Sequence, residues 1–165
     1  MEPGKTAPAE GPADRAMSAF DAWLYRGDRN PRTRSMLVVV CRLAAAPDEA
    51  EWRHALERAS RLVPRLRQRV VDPPLPIVLP AWIVDPDFDL DAHAHRFRLP
   101  APGDDAQLLD FAAREALRRL DDARPLWDAT LVEGLADGTA AVVLKIGHAL
   151  ADGVGAIELF GTLFD

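Results

Sequence analysis

The sequence predicts an α/β fold, with helices packed on a mixed sheet, and three observations carry that prediction. Apolar residues recur at helical spacing over 48–62, through Trp52, Ala55, Leu56, Ala59 and Leu62. They do so again over 105–120, through Leu108, Leu109, Ala112, Ala116, Leu117 and Leu120. The run from Met36 to Cys41 is continuously apolar rather than alternating, which suits a strand covered on both faces. Residues 127–133 and 139–146 read as a hairpin, with Ala136-Asp137-Gly138 supplying its turn. Two or three helices on such a sheet make an α/β sandwich, and 165 residues suit one domain.

In chain order, residues 1–16 are rich in Pro, Gly, Ala and charge and read as a disordered tail. Ser18 is suited to cap a short helix over 18–25. A polar loop follows over 26–34, with Gly27, Asn30 and Pro31. The strand over 35–43 comes next, then Pro47 and the helix over 48–62, with Pro64 at its end. Residues 66–71 suit a strand, and the proline-rich 73–80 an irregular segment, because proline donates nothing to a ladder. A short strand over 82–84 leads into an acidic loop over 85–91. Over 93–99 the residues His93, His95, Phe97 and Leu99 alternate onto one strand face. After the helix over 105–120 and the hairpin, 155–163 reads as a short final helix. No internal repeat is visible.

Composition bounds the function. The net charge of −6, with 20 basic residues mixed among 26 acidic ones, argues against a general nucleic-acid binder. The hydrophobic fraction of 48% allows a core of normal size. The single cysteine, Cys41, forms no internal disulfide and fits a reducing compartment, hence a cytoplasmic expectation. It lies in an apolar run, where a small buried hydrophobe is the simple reading. No stretch suits a membrane span, and the N-terminus lacks a signal-peptide core.

The chemistry concentrates in Lys145-Ile146-Gly147-His148-Ala149-Leu150-Ala151-Asp152-Gly153-Val154-Gly155. The apolar run 140–144 delivers the chain to one histidine, followed at fixed spacing by an aspartate and a glycine. A strand end that passes into a glycine-rich turn presents a side chain to a cleft while the sheet holds it rigid. Histidine moves protons near neutral pH. Gly153 permits a left-handed backbone or the close approach of a substrate.

This H-x-x-x-D-G pattern resembles the active-site motif of CoA-dependent acyltransferases with the chloramphenicol-acetyltransferase-like fold. Among them the chain is most similar to the bacterial wax ester synthase/diacylglycerol acyltransferase family. Further blocks carry the resemblance in the family's order. They are Met17-Ser18-Ala19-Phe20-Asp21-Ala22, Pro64-Arg65-Leu66-Arg67-Gln68-Arg69, and Trp82 through Asp91 with His93. Leu99-Pro100-Ala101-Pro102-Gly103, Leu120-Asp121 with Arg124-Pro125-Leu126-Trp127, and Val132-Glu133-Gly134-Leu135 complete the set. The family carries a double histidine, and here Gly147 stands at its first position. The family also has two similar domains with the active site in a tunnel between them. Residues 17–165 are therefore expected to form the N-terminal acyltransferase domain, without the second.

The resemblance implies an acyl-CoA-dependent O-acyltransferase with His148 as general base. It would transfer a fatty acyl group to a long-chain alcohol or diacylglycerol, making wax ester or triacylglycerol. No cofactor is implied beyond acyl-CoA as substrate. Gly147, Asp152 and Gly153 would support the site. Asp152 has two readings, an orienting partner for His148 or a structural residue paired with an arginine. Pro125, Leu126 and Trp127 are tunnel-wall candidates, or a strand start with a core tryptophan. The implied partners are a second domain or another copy of the chain, and a membrane or lipid-inclusion surface. Two other classes stay open. One is a non-catalytic half-enzyme that binds lipid or a partner. The other is condensation on carrier-bound thioesters.

The remaining polar clusters have plainer readings. The four aspartates of 85–91 do not follow a calcium-loop order, and Pro86 and Phe88 interrupt them. His93 and His95 lack a Cys or His at zinc-ligand spacing. Arg65, Arg67 and Arg69 could meet CoA phosphates or a membrane surface, and otherwise make a solvated helix end.

Overall fold

A computed structural model describes residues 15–75, 77–150 and 161 of the chain. Its centre is a four-stranded sheet of β2 (Met36–Leu43), β5 (Ala94–Arg98), β6 (Trp127–Glu133) and β7 (Ala140–Gly147), in the order β2-β7-β6-β5. β7 runs antiparallel to both β2 and β6, and β5 runs parallel to β6. The sheet is therefore mixed, as the sequence predicts. The β6–β7 hairpin forms with Trp127 opposite Ile146, and its turn carries Gly138 at φ +77°. That left-handed conformation is open to glycine at little steric cost.

One helix covers each face. Helix α2 (Glu49–Leu62) sets Trp52, Leu56 and Ala59 against Ala129, Leu131, Val142, Leu144 and Ile146. Helix α3 (Asp105–Leu117) sets Leu108, Phe111 and Ala112 against Val132, Ala141 and Val143. The continuous apolar runs follow from this sandwich. A strand with helices on both faces has no polar side, and every residue of β7 is buried. Both helices start with reciprocal capping boxes, Asp48 with Glu51 and Asp104 with Gln107.

A smaller sheet joins β1 (Arg15–Ala16), β4 (Ala81–Val84) and β3 (Gln68–Val71) in that order. Helix α1 (Ala19–Asp28) is capped by the Ser18 hydroxyl, which accepts the Asp21 N–H at 3.0 Å. It packs through Ala22 and Tyr25 with Val70, Trp82, Leu126 and Ala149. This cluster closes the end of the large sheet where β7 stops, so α1 and the small sheet shape the surroundings of His148.

Several expectations are corrected. Arg15 and Ala16, assigned to the tail, pair with Trp82 and Ala81. Helix α1 runs on to Asp28 through Gly27, so the polar loop starts later than composition suggests. Strand β2 touches core on both faces, but it is an edge strand and none of its residues is fully buried. Residues 64–67 form a 3-10 turn, with the Pro64 ring at its first position, and only 68–71 are strand. His93 ends a second 3-10 turn, Leu90–Ala92, ahead of β5 rather than within it. Helix α3 stops at Leu117, three residues early. The predicted helix over 155–163 lies outside the described residues except for Gly161, as do tail residues 1–14.

Candidate active site

His148 follows directly on Gly147, the last residue of β7. It opens a turn in which the Leu150 N–H donates to the Gly147 carbonyl at 2.8 Å. The residue is half-buried. Its Nδ1 is shielded from solvent and makes no hydrogen bond among the described residues. The strand-end placement read from the sequence is therefore what the fold provides. Asp152 and Gly153 lie outside the described residues.

Gly147 has a packing reason for lacking a side chain. A Cβ there would meet Leu126 Cβ at 3.1 Å and Leu126 Cδ1 at 3.5 Å. The Gly147 N–H donates to the Leu126 carbonyl at 2.9 Å, which fixes that close approach. Leu126 thus abuts the residue before His148 and lines a narrow crevice with Gly147, Tyr25, Asp28 and Met36. Of the three tunnel candidates, Leu126 alone borders this crevice. Pro125 lines a separate cavity of about 170 Å³ with His95 and Arg118. Trp127 is 1% exposed, and its indole N–H donates to the Leu66 carbonyl at 2.9 Å. Its ring stacks on His93 with centroids 4.6 Å apart. The geometry of Trp127 is that of a core residue.

Asp28 carries no signal in the sequence, yet it lines the same crevice as Gly147. It is 9% exposed and accepts the Ser35 N–H at 2.8 Å. Burial pushes its carboxyl above the usual carboxylate range, while the Ser35 N–H and then the positive form of His148 pull it back.

A second charged group lies on the α3 side of β7. Lys145 is 1% exposed, with Nζ 3.9 Å from both Glu115 and Asp128 and no hydrogen bond among the described residues. Burial, reinforced by Arg118, holds its pKa below the usual lysine value. Asp128 also reaches Arg118 at 2.9 Å and His95 at 3.7 Å. His93 Nδ1 bonds the Trp127 carbonyl at 2.8 Å, and burial pushes its pKa down. Among the described residues, no cluster of three or more His, Cys, Asp or Glu is placed to hold a metal.

The arginines of 65–69 are not a free basic patch. Arg65 lies over the Trp82 ring and Arg67 over Phe88, while Arg69 sits 3.8 Å from Asp85. Arg53 pairs with Asp91, and the Asp85 carboxylate accepts the Asp87 N–H at 3.1 Å. Cys41 is half-buried on β2 and packs against the α2 core. No described helix is long and apolar enough to cross a membrane.

Comparison with known proteins matches this geometry to one family. The model of the wax ester synthase/diacylglycerol acyltransferase catalytic domain matches residues 17–165. A Mycobacterium tuberculosis H37Rv protein named as a diacylglycerol O-acyltransferase is 48% identical over 149 residues, covering 90% of this chain and 30% of the relative. Another from the same strain, tgs1, is 41% identical over 120 residues, covering 73% of this chain and 26% of the relative. This chain thus spans about a third or less of these relatives. The solved wax ester synthase/diacylglycerol acyltransferase of Marinobacter aquaeolei VT8 superposes with a TM-score of 0.72 at 25% identity, over 87% of this chain and 37% of that one. A starter condensation domain of rhizomide synthetase, solved with C8-CoA, superposes equally well, at 0.72 and 16% identity, over 92% of this chain and 34% of that one. At that identity the likeness is one of fold.

Proposed function

This chain belongs to the wax ester synthase/diacylglycerol acyltransferase family, and on that premise we propose that it carries the base of an acyl-CoA-dependent O-acyltransferase. The acceptor is a long-chain alcohol or a diacylglycerol, and the product a wax ester or triacylglycerol. The observation that carries the reading is the placement of His148. It stands at the end of a fully buried strand, half-open to solvent, with one ring nitrogen shielded.

Acyl transfer from a thioester to an alcohol is limited by the poor nucleophilicity of a hydroxyl. A neutral imidazole removes that proton as the oxygen attacks the thioester carbonyl. The C–O bond forms, the C–S bond breaks, and the imidazolium returns the proton to the departing CoA thiolate. Shielding Nδ1 leaves Nε2 as the nitrogen for this exchange. No covalent enzyme intermediate is needed, so the reading asks for no serine or cysteine nucleophile. The relatives are about three times longer than this chain. We therefore assign the second wall of the site, and most of its water exclusion, to a further domain or to a second copy of the chain.

The test uses the protein joined to a complementary C-terminal domain, with radiolabelled acyl-CoA and a long-chain alcohol or diacylglycerol. His148→Ala is expected to lower kcat by about 10²- to 10⁴-fold, the usual contribution of a general acid–base group. An unchanged rate would remove His148 from the reaction. Binding of acyl-CoA or lipid without turnover in the unaltered protein would favour a binding module instead.

A further inference from the structure

We infer that the outer edge of β2 is a docking edge for a strand of the further domain, and that the groove at the Leu43 end of β2 receives apolar side chains of that strand. The inference rests on the reading that a further domain supplies the second wall of the site.

Strand register decides which groups face outward. The Gly147 N–H donates to the Leu126 carbonyl at 2.9 Å, so Gly147 and the alternate residues Lys145, Val143 and Ala141 turn their peptide groups toward β6. Ile146, Leu144, Val142 and Ala140 therefore turn theirs toward β2, where they face Leu37, Val39, Cys41 and Leu43. The peptide groups of Met36, Val38, Val40 and Arg42 point the other way. β2 ends the sheet, and no described strand lies beyond it. Among the described residues these outward groups meet only the Cys41 thiol, on the Arg42 carbonyl at 3.7 Å. The edge is 8 residues long, holds no proline and carries a single charge, Arg42. Soluble proteins shorten such an edge, charge it or cover it.

The surroundings determine what kind of strand fits. Leu37, Val39, Cys41 and Leu43 pack toward α2, and Val38 and Val40 toward α3. A strand added to β2 continues both faces, with its own residues alternating between them. On the α2 side, at the Leu43 end, lies a groove of about 880 Å³ whose apolar wall is Leu43, Ala46, Pro47, Trp52 and Ala55. The Trp52 indole N–H, shielded from solvent, has no acceptor among the described residues. The fitting partner is an extended, proline-free segment with apolar residues at alternate positions. A 48% identical relative matches this chain over 30% of its own length, so the family has ample further chain to supply such a segment. Position favours that source. Met36 faces Gly147, so an added strand lies about 10 Å, two strand spacings, from the strand that leads into His148. A second copy does less. Two β2 edges pairing antiparallel about a two-fold axis set their Gly147 ends at opposite ends of the joint sheet. That arrangement seals the edge without bringing a second wall to either His148.

Residue-resolved amide hydrogen exchange reads the edge in the unaltered protein. In the isolated chain the Val38 and Val40 N–H groups should exchange fast, and those of Val39 and Cys41 slowly behind the β7 ladder. In the protein joined to its complementary C-terminal domain, exchange at Val38 and Val40 should slow by about 100-fold or more. With that domain supplied as a separate chain, Val40→Pro removes one outward donor at a position where an edge strand tolerates proline. It should weaken association about tenfold, the upper range for one lost ladder bond. Should Val40→Pro fail to fold, Ala55→Gln puts a good helix former into the groove and should weaken association by about the same factor. Val38 and Val40 amides that still exchange fast in the joined protein overturn the inference, and turnover in that sample leaves the reading of His148 standing. Protection that appears in the isolated chain and rises with its concentration, alongside a dimer in sedimentation, gives the edge to a second copy and overturns it too. Protected edge amides in a joined protein without turnover would sink the acyl-transfer reading alone.

Discussion

At the residue scale, His93 shows how a histidine that resembles a ligand becomes part of a core. Its ring lies in a stack with Phe88 and Trp127, at centroid distances of 5.6 and 4.6 Å, and Arg67 lies over the Phe88 ring. A carbonyl can only accept, so Nδ1 carries the proton it gives to Trp127 O. Burial holds the folded pKa below the usual value. The unfolded chain therefore takes up a proton first as the pH falls. Stability is full above about pH 6.5 and declines as the pH drops through that value toward the lower folded pKa. Urea midpoints at pH 7.5, 6.5 and 5.5 should fall in that order, and His93→Phe should flatten the slope. Gly147 gives a second residue-scale expectation. Gly147→Ala should destabilise by about 1–3 kcal/mol through overpacking against Leu126. Leu126→Val should cost less in that background than in the unaltered protein, a coupling that a double-mutant cycle in urea would read.

At the element scale, what was legible in the sequence was whatever local chemistry decides. Apolar spacing announces the two helices, and the structure adds what fixes their starts, the capping boxes of Asp48 with Glu51 and Asp104 with Gln107, which give the first-turn N–H groups acceptors. Asp48→Ala and Asp104→Ala should each cost about 1 kcal/mol in chemical denaturation. A loss near zero would mean that tertiary packing alone places these helix ends. What was not legible depends on neighbours far along the chain. The apolar run of β2 is indistinguishable from that of β7. Only the sheet order, with β2 at an edge, leaves one half-covered and the other sealed. The motif histidine was visible because a strand end and a glycine-rich turn are local features. Asp28 was not, because its place in one crevice with Gly147 arises from chain segments far apart in sequence. The parallel pairing of β5 with β6, with α3 between them in sequence, was equally hidden.

At the scale of the whole molecule, three apolar clusters divide the work. Two seal the faces of the large sheet, and the third ties α1 and the small sheet to the end of β7. Helix α1 satisfies that third cluster with only one of its faces. On its other side Phe20 and Trp23 stack on each other, 66% and 69% exposed. The proline-rich segment adds Leu75 and Ile77, 60% and 88% exposed. Arg26 of α1 donates to the Val78 carbonyl at 2.8 Å and so holds that segment beside the helix. All four side chains are exposed, and a soluble monomer rarely leaves a large contiguous apolar patch unused. The isolated chain is expected to self-associate at micromolar concentration and to bind a hydrophobic dye. The triple change Phe20→Ser, Trp23→Gln and Ile77→Ser should shift sedimentation toward the monomer and lower dye fluorescence. The melting temperature should stay nearly unchanged, because none of the three contributes to the buried clusters. A monomeric, dye-negative parent would show that the patch needs no cover, and the domain would then be self-sufficient on this face.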